Sequence, residues 1–227
     1  MNTMKKIGIL FSALVCTFII SGCGDFISRT VEVKSITIKT QSDLMQFRDM
    51  VNNSEDGLEG FYITLESDID LSDVEWEPIK SFNGTFDGKY YTIEKITINA
   101  GNKSGFFAYL EKDGIIRNLT IKNIVITGID EVGGLAGGNL GTIENSHISG
   151  IVTGSNAVGG LVGGNLGTIR NSSAFATVSG NDYVGGFVGL NMFRIEYCQS
   201  SGTVNGIGKN VGEFVGLNDE ESGVVIE

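Results

Sequence analysis

Histidine, cysteine and proline are nearly absent from this sequence of 227 residues, which holds one histidine, three cysteines and one proline. A nucleophilic triad needs a histidine base beside its nucleophile, and His147 is the single candidate for that base. A zinc site needs three or four nitrogen or sulfur ligands, which one histidine and one downstream cysteine do not supply. A glycine-rich phosphate loop followed by lysine is also missing. We therefore expect no catalytic residue and no cofactor.

Positive charge is scarce as well, because 16 lysine and arginine residues stand against 27 aspartate and glutamate residues, a net charge of −11. Nucleic-acid binding depends on lysine and arginine side chains that neutralise phosphates. We therefore expect no nucleic-acid partner. The acidic balance favours a soluble surface that repels its neighbours.

Long apolar runs are limited to residues 7–20, which follow Lys5 and Lys6. The run suits the core of a signal peptide and is short for a membrane-spanning helix, which needs about 20 residues. It leads into Ile-Ser-Gly-Cys at residues 20–23, which resembles the bacterial lipobox. The resemblance implies that the sulfur of Cys23 receives a diacylglycerol and that cleavage leaves Cys23 as the first residue.

The predicted leader covers residues 1–22, and the acylated N-terminus with its tether covers residues 23–35. Each buried CH2 of an acyl chain contributes about 0.8 kcal/mol, so several chains hold a protein stably at a membrane. We expect an extracytoplasmic bacterial protein whose lipid partner is the cell membrane or outer membrane. Cys16 would leave with the leader and Cys23 would carry lipid, so Cys198 would have no disulfide partner.

Glycine, in contrast, is abundant at 33 residues, and it marks an internal repeat. Residues 131–156 and 157–182 are identical at 15 of 26 positions, and the copy that begins at Tyr183 matches the second at 10 of 26. A fourth copy opens at Val211, and a degenerate one precedes the first. Glycine inside a helix costs about 1 kcal/mol per residue, which argues against helical hairpins. Valine, isoleucine and threonine indicate strands instead.

The second half of each copy alternates between two rows of side chains. Small or apolar residues form the row that we predict to face inward: Ser146, Ile148, Gly150 and Val152; Ser172, Ala174, Ala176 and Val178; Cys198, Ser200, Gly202 and Val204. More polar residues form the row that we predict to face outward: His147, Ser149, Ile151 and Thr153; Ser173, Phe175 and Thr177; Gln199, Ser201 and Thr203. We interpret Cys198 as a buried small residue rather than a reactive thiol.

One unit of two or three short strands cannot bury its own inner face, whereas stacked units can. We therefore predict an all-β solenoid with coils of about 26 residues, spaced about 4.8 Å apart. Equivalent residues should then form ladders: Val132, Val158, Val184 and Val211; Leu135, Leu161, Phe187 and Phe214; Ile116, Ile143, Ile169 and Ile195. A fourth ladder, in which amides hydrogen-bond along the axis, should contain Asn139, Asn165, Asn191 and Asn218.

Residues 158–172, with Val-Gly-Gly-Leu-Val-Gly-Gly-Asn and then Gly-Thr-Ile-Arg-Asn-Ser, resemble the GLUG-motif repeats of bacterial secreted and surface proteins. Later copies depart from the pattern, with Phe187 and Phe214 in the leucine position and Glu213 in place of a glycine. Residues 61–88 resemble the segment that precedes such repeats. The resemblance implies a right-handed parallel β-helix. It implies little about activity, because these repeats occur in adhesin-like and protease-associated proteins alike.

An open solenoid needs caps over its strand edges and apolar interior. Residues 42–51 predict a short capping helix that begins at Ser42, with one apolar face: Leu44, Phe47, Met50 and Val51. We predict the cap and first coils over residues 36–100 and the GLUG-type coils over residues 101–227. Residues 219–227 place three acids before an apolar triplet. These acids either guard the edge or belong to a fragment of a longer protein, and both interpretations stay open.

Two acidic clusters are candidates for binding cations. Asp68, Asp70, Asp73 and Glu75 offer oxygen atoms of the kind that calcium prefers, but their spacing matches no EF-hand. The alternative is ordinary turn chemistry, so we assign no metal ligand and leave calcium at Asp68, Asp70 and Asp73 open. The cluster at residues 219–221 is interpreted as a solvated end.

Three functions fit these observations. The first is a membrane-anchored binding or adhesion-like module for a glycan or surface protein, with Phe175, Tyr183 and Tyr197 as outward aromatics for stacking. The second is a polysaccharide lyase or glycoside hydrolase, which would need acids from residues 66–87, namely Glu66, Asp68, Asp70 and Asp87. The third is a structural spacer or a truncated fragment without a ligand.

Overall fold

Short parallel strands stack coil upon coil in the computed structural model, which describes residues 11–18 and 29–226. The predicted parallel β-solenoid with one short helix is confirmed. One helix is described, α1 (Gln41–Asn52). In chain order the strands are β1 (Phe11–Phe18), β2 (Arg29–Ile38), β3 (Phe61–Leu65), β4 (Ile69–Asp70), β5 (Thr85–Asp87), β6 (Thr92–Glu94), β7 (Thr97–Asn99), β8 (Phe107–Leu110), β9 (Ile115–Arg117), β10 (Thr120–Thr127), β11 (Asp130–Gly133), β12 (Ala136–Asn139), β13 (Thr142–Glu144), β14 (His147–Thr153), β15 (Asn156–Gly159), β16 (Val162–Asn165), β17 (Thr168–Arg170), β18 (Ser173–Gly180), β19 (Asp182–Gly185), β20 (Val188–Asn191), β21 (Arg194–Glu196), β22 (Gln199–Gly206), β23 (Val211–Gly212), β24 (Val215–Asn218) and β25 (Val224–Ile226).

The strands form four sheets that run along the solenoid. Sheet one has the order β1-β2-β3-β5-β9-β13-β17-β21-β25, and sheet two has the order β22-β18-β14-β10-β6-β4, with β7 also beside β10. Sheet three is β11-β15-β19-β23, and sheet four is β24-β20-β16-β12-β8. Every pairing is parallel except that of β1 with β2. One coil therefore visits sheets two, three, four and one in turn, as β10 to β13 do.

Four strands per coil is one more than the sequence pattern predicted at most, and the glycine pairs account for the extra strand. A Cβ on Gly163 would lie 2.5 Å from the carbonyl carbon of Glu131 and 2.6 Å from the nitrogen of Val132. The backbone of β16 thus lies directly against β11 of the preceding coil. Only glycine permits this approach, because it has no Cβ. The glycine-rich stretch therefore forms two closely packed strands in each coil.

The core consists of ladders that repeat from coil to coil. The valine, leucine-phenylalanine and isoleucine ladders are in register as predicted, and Phe187 stacks on Phe214 with ring centroids 4.9 Å apart. The isoleucine ladder also reaches back through Phe86 and Ile63 to Ile36. Buried asparagines form the predicted amide ladder, in which Asn139 donates to Asn165 at 2.7 Å and Asn165 donates to Asn191 at 2.8 Å.

Helix α1 closes the N-terminal end of the stack, as predicted, but its N-cap lies two residues earlier than expected. Thr40, rather than Ser42, is the N-cap, because Thr40 and Asp43 form a reciprocal capping box. The buried face of the helix meets the aromatic core, where the ring centroid of Phe47 lies 5.8 Å from Phe82 and 5.6 Å from Phe86.

At the other end, the apolar triplet of the last residues forms β25 and extends sheet one beside β21. Sheet two ends at β22 within the described residues, and its strand β22 is correspondingly exposed.

The predicted lipid attachment residue, Cys23, lies outside the described residues, so acylation and the boundaries at residues 22, 35 and 100 stay predictions. Residues 11–18 of the predicted leader form β1, antiparallel to β2. In the part of the chain that the structure describes, no helix is both long and apolar enough to cross a bilayer.

Candidate functional site

The outward surface of sheet one carries a column of alternating charge. Strand register places Asp87, Arg117, Glu144, Arg170 and Glu196 in consecutive coils, so the sign changes at every step. The Nε of Arg117 lies 3.0 Å from Oδ2 of Asp87, and the Nε of Arg170 lies 2.8 Å from Oε2 of Glu144. These polar groups are therefore engaged with one another.

Asp87 is the most enclosed charge of this column, with 2% of its surface exposed. Its carboxylate accepts hydrogen bonds from the hydroxyl of Tyr62 at 2.7 Å, the amide of Asn118 at 3.0 Å and the backbone nitrogen of Lys89 at 3.0 Å. Burial acts to raise the pKa of Asp87, but these hydrogen bonds and the charge of Arg117 outweigh it, so the pKa lies well below its usual range. Asp87 is therefore an anion at neutral pH, and its contacts give it a structural role.

The outward surface of sheet two differs, because it carries no charged residue over three consecutive coils. We call this surface the sheet-two face and define it by the outward residues of β14, β18 and β22: His147, Ser149, Ile151, Thr153, Ser173, Phe175, Thr177, Ser179, Gln199, Ser201, Thr203 and Asn205. Parallel register aligns them in straight rows, one of which contains Ile151, Thr177 and Thr203. Burial confirms the inward side chains Ile148, Val152, Ala174, Ala176 and Val178 of the first two copies. In the third copy the predicted inward residues Ser200, Gly202 and Val204 are partly or fully exposed, because no further described strand of sheet two covers β22.

Apolar side chains stand out from the polar rows of the sheet-two face. Phe175 is 54% exposed, and Ile151 is 47% exposed, with Val125 of β10 beside it in the same row. The neighbouring polar side chains Ser149, Thr153, Thr177, Gln199, Ser201 and Thr203 have no hydrogen-bond partner among the described residues. The face thus combines exposed apolar area with unengaged hydroxyl and amide groups.

Ser173 is an exception to the predicted outward row, because 4% of its surface is exposed. His147 of the preceding coil covers it, and Nδ1 of His147 lies 2.8 Å from Oγ of Ser173. Burial lowers the pKa of His147 below its ordinary value, so the neutral form of its ring predominates at pH 7. The sheet-two face is therefore uncharged at physiological pH.

The three aromatics that the sequence suggested for stacking do not share one surface. Phe175 lies within the sheet-two face, and Tyr197 lies at its margin, at the corner that precedes β22, where it is 64% exposed. Tyr183 belongs to β19 in sheet three, across the next corner of the coil. Tyr183 and Tyr197 both have positive φ, as corner residues of the coils.

Five of the six acids proposed for calcium or for catalysis have a separate partner, whereas Asp73 makes no hydrogen bond or ion pair within the described part of the chain. Asp68 accepts from the backbone nitrogen of Thr92 at 2.7 Å, and Asp70 pairs with Lys95 at 2.5 Å. Glu75 accepts a hydrogen bond from Asn99 at 3.1 Å, and Glu66 pairs with Lys39 at 2.8 Å. Asp87 belongs to sheet one, where it pairs with Arg117. These five acids therefore do not act as one group. Over the described residues, no group of three or more histidine, cysteine or acidic side chains is placed to hold a metal ion.

The remaining acids and the thiol also have local roles. Asp219 accepts hydrogen bonds from the backbone nitrogens of Glu221 and Ser222 and so closes a turn. Cys198 is half-buried in the inward row, where its Sγ donates to the carbonyl oxygen of Glu196 at 3.1 Å. Burial raises the pKa of this thiol to about 11, which fits the interpretation of an unreactive residue.

Two features of these surfaces escaped the sequence analysis. The alternating column was present in the repeat as Glu144, Arg170 and Glu196 at a spacing of 26 residues. Its first members, Asp87 and Arg117, lie in coils of different length, so only the strand register reveals them. The outward rows of the sequence already lack charge, but only the structure shows that sheet one, in contrast, carries a charged column.

Comparison with known proteins supports the repeat assignment. The GLUG motif matches residues 154–179 and 180–205, each of which covers one full coil from sheet three back to sheet two. Two consecutive GLUG repeats therefore lie within this chain. The matched segments contain β18 and most of β22, so two of the three strands of the sheet-two face belong to GLUG repeats.

Two relatives share part of the chain. Halomucin from Haloquadratum walsbyi is 42% identical over 86 residues, which cover 33% of this chain and 1% of halomucin. A candidate Gly-rich membrane protein from Evansella cellulosilytica is 35% identical over 102 residues, 38% of this chain and 12% of that protein. The chain thus spans a small part of these relatives. Their names fit a surface or cell-envelope protein.

A solved structure shares the fold of the GLUG solenoid. The crystal structure of a candidate immunoglobulin A1 protease from Bacteroides ovatus superposes with a TM-score of 0.73 at 24% identity. The match covers 85% of this chain and 64% of that one. At this identity the similarity establishes the parallel β-helix fold and says nothing about activity.

Proposed function

We propose that this GLUG solenoid is an adhesion-like binding module of the bacterial cell envelope, held to a membrane by lipid on Cys23. The sheet-two face is the proposed contact surface. The basic start, the apolar run and the small residues before Cys23 support the anchor. The surface-protein relatives support the envelope location.

The observation that carries the binding role is the contrast between sheets one and two. Sheet one satisfies its outward charges internally through the alternating column, with Arg117 on Asp87 and Arg170 on Glu144. Sheet two leaves its hydroxyl and amide groups unengaged around Phe175 and Ile151. Exposed apolar area within a polar rim is typical of interaction sites.

The alternative of a polysaccharide lyase or hydrolase needs two or three carboxylates that converge on one cleft. The acids of residues 66–87 are instead engaged by separate partners, such as Lys95 for Asp70 and Arg117 for Asp87. The binding role therefore fits the geometry better.

The anchor is tested by intact-mass analysis and membrane fractionation of the full chain, with and without globomycin, which inhibits the lipoprotein signal peptidase. We expect a membrane-bound product whose first residue is an acylated Cys23, and a Cys23→Ala variant that carries no lipid. A wild-type product that keeps its leader in untreated cells, or carries no lipid, would refute the anchor.

The contact surface is tested by cell adhesion. Cells that display the full chain are compared with cells that display Thr177→Lys, which puts a charge on the sheet-two face, and Thr168→Lys, which puts one on sheet one. We expect Thr177→Lys to abolish adhesion to bacterial cell-wall material and Thr168→Lys to retain it. Equal adhesion by both variants would exclude the sheet-two face as the contact surface.

A further inference from the structure

We propose that the ligand of the sheet-two face is a neutral polysaccharide chain that lies along the solenoid axis. The inference rests on the proposed binding function and adds the chemical class of the ligand. Three properties of the face carry it: its lack of charge, its unengaged hydrogen-bonding groups, and the position of Phe175 among them.

The first property sets the charge of the ligand. The chain has a net charge of −11, yet no aspartate, glutamate, lysine or arginine occurs among the outward residues of β14, β18 and β22, and the neutral form of His147 predominates at pH 7. Uronates, sulfated glycans and phosphate-bearing polymers carry anions that are costly to desolvate, and lysine and arginine form the strongest hydrogen bonds that offset this cost. A face without charged residues does not offset the desolvation cost of an anion, so it fits an uncharged ligand better.

The second property matches the ligand's functional groups. The hydroxyls of Thr153, Thr177, Ser201 and Thr203 and the amide of Gln199 have no partner within the described part of the chain. A hydroxyl both donates and accepts, so it pairs with a sugar hydroxyl in either orientation. Coils about 4.8 Å apart present hydrogen-bonding groups in rows along the axis, such as the adjacent hydroxyls of Thr177 and Thr203. A polymer with a repeating unit exploits that arrangement better than a compact ligand.

The third property supplies an apolar anchor. Phe175 is 54% exposed and is flanked by Ser149 in the coil before and Ser201 in the coil after. An aromatic ring packs against the C–H side of a sugar ring while the hydroxyls at its edge reach the polar neighbours. Tyr197 at the margin offers a second ring toward the end of the stack.

A protein partner fits these residues less well. Contact surfaces between proteins are enriched in aromatic residues, methionine and arginine, and serine and threonine are under-represented among the residues that dominate their affinity. The sheet-two face has the opposite composition, with serine and threonine at most positions and one aromatic ring. A glycan therefore is the occupant that the composition favours.

The test measures binding of the full chain, purified in mild detergent, to hexasaccharides by calorimetry. The probes are neutral oligomers of glucose, mannose and N-acetylglucosamine, with an oligogalacturonate as the acidic comparison. Phe175→Ala removes the proposed anchor. Phe193→Ala is the matched control, because Phe193 is 47% exposed but lies outside the sheet-two face, before β21.

We expect at least one neutral hexasaccharide to bind, Phe175→Ala to weaken it about tenfold, and Phe193→Ala to leave it unchanged. Binding of the oligogalacturonate alone, or equal effects of the two variants, overturns the inference. Absence of binding to every probe also overturns it. If adhesion to cells still depends on Thr177 in that case, the proposed binding function survives with another ligand. If neutral glycans bind but Cys23 carries no lipid, the ligand class stands and the anchor fails.

Discussion

The asparagine ladder should be the most sensitive internal feature of the solenoid, and Asn165 is its central member. The side chain of Asn165 is fully buried. It donates to Oδ1 of Asn191 at 2.8 Å, and its Oδ1 accepts from Nδ2 of Asn139 at 2.7 Å and from the backbone nitrogen of Gly167 at 3.3 Å. Substitution of alanine for Asn165 removes three hydrogen bonds at once.

The loss can be estimated from the groups left behind. In Asn165→Ala, one N–H of Asn139 and the backbone N–H of Gly167 lose their acceptor in the interior, and Asn191 loses a donor. A buried polar group without a partner costs about 1–3 kcal/mol, and the bonds share neighbours, so their costs are not fully additive. We expect the free energy of unfolding to fall by about 3–5 kcal/mol.

The assay is equilibrium urea unfolding of the full chain, followed by far-UV circular dichroism. With a urea slope of about 3 kcal/mol/M, the midpoint should fall by about 1–1.7 M. Asn205→Ala is the control, because the exposed amide of Asn205 makes one long contact, 3.4 Å to Oγ of Ser179. Its midpoint should change little. A loss of less than about 1 kcal/mol for Asn165→Ala would refute the reasoning that the ladder is a stabilising network.

Other predictions concern the charge column and the thiol. Because the pKa of Asp87 is depressed in the folded state, Asp87 stabilises the fold above the ordinary aspartate pKa of about 3.9, and this contribution is lost progressively as the pH falls below that value. The variant Asp87→Asn should therefore be less stable than the wild type at pH 7 and should lose less stability on acidification. Urea midpoints measured from pH 7 to pH 3 test both results. Arg170→Glu places an acid between Glu144 and Glu196 and should cost about 1 kcal/mol, more than Arg170→Gln; equal midpoints for the two variants would contradict a role for the alternation. Cys198, with a pKa of about 11, should react with iodoacetamide at pH 8 about 100-fold more slowly than free cysteine, as followed by peptide mass mapping; a rate equal to that of free cysteine would show that it is not shielded.

The fold could be predicted because the same pattern of side chains recurs in each sequence repeat. A side chain that faces inward in one copy faces inward in the next, so Ile143, Ile169 and Ile195 identify one another without a structure. The capping helix was predicted from the spacing of its apolar residues, and the structure buries three of them, Leu44, Phe47 and Val51. Its first residue was wrong because Thr40 and Ser42 are both good caps, and the choice depends on the acid three residues later, Asp43.

The candidate site could be predicted only in part. The outward rows followed from alternation, and Phe175 was named as an outward aromatic that the structure does expose. Tyr183 was assigned to the same group because alternation says nothing about the corner that separates β18 from β19. The grouping of Asp87 with Asp68 and Asp70 was also wrong, because nearness in sequence does not keep residues on one sheet when the coil turns between them.

The strand content, the coil period, the ladders and the excess of negative charge can all be derived from the order and type of the residues. These depend on side-chain type and spacing, which the backbone of a strand converts directly into a facing direction. The tertiary structure alone decided how many sheets each coil crosses, which charges meet, and which surface is left without any. Those outcomes depend on how closely glycine lets β11 and β16 approach, and on the register that brings Arg117 to Asp87 from 30 residues away along the chain.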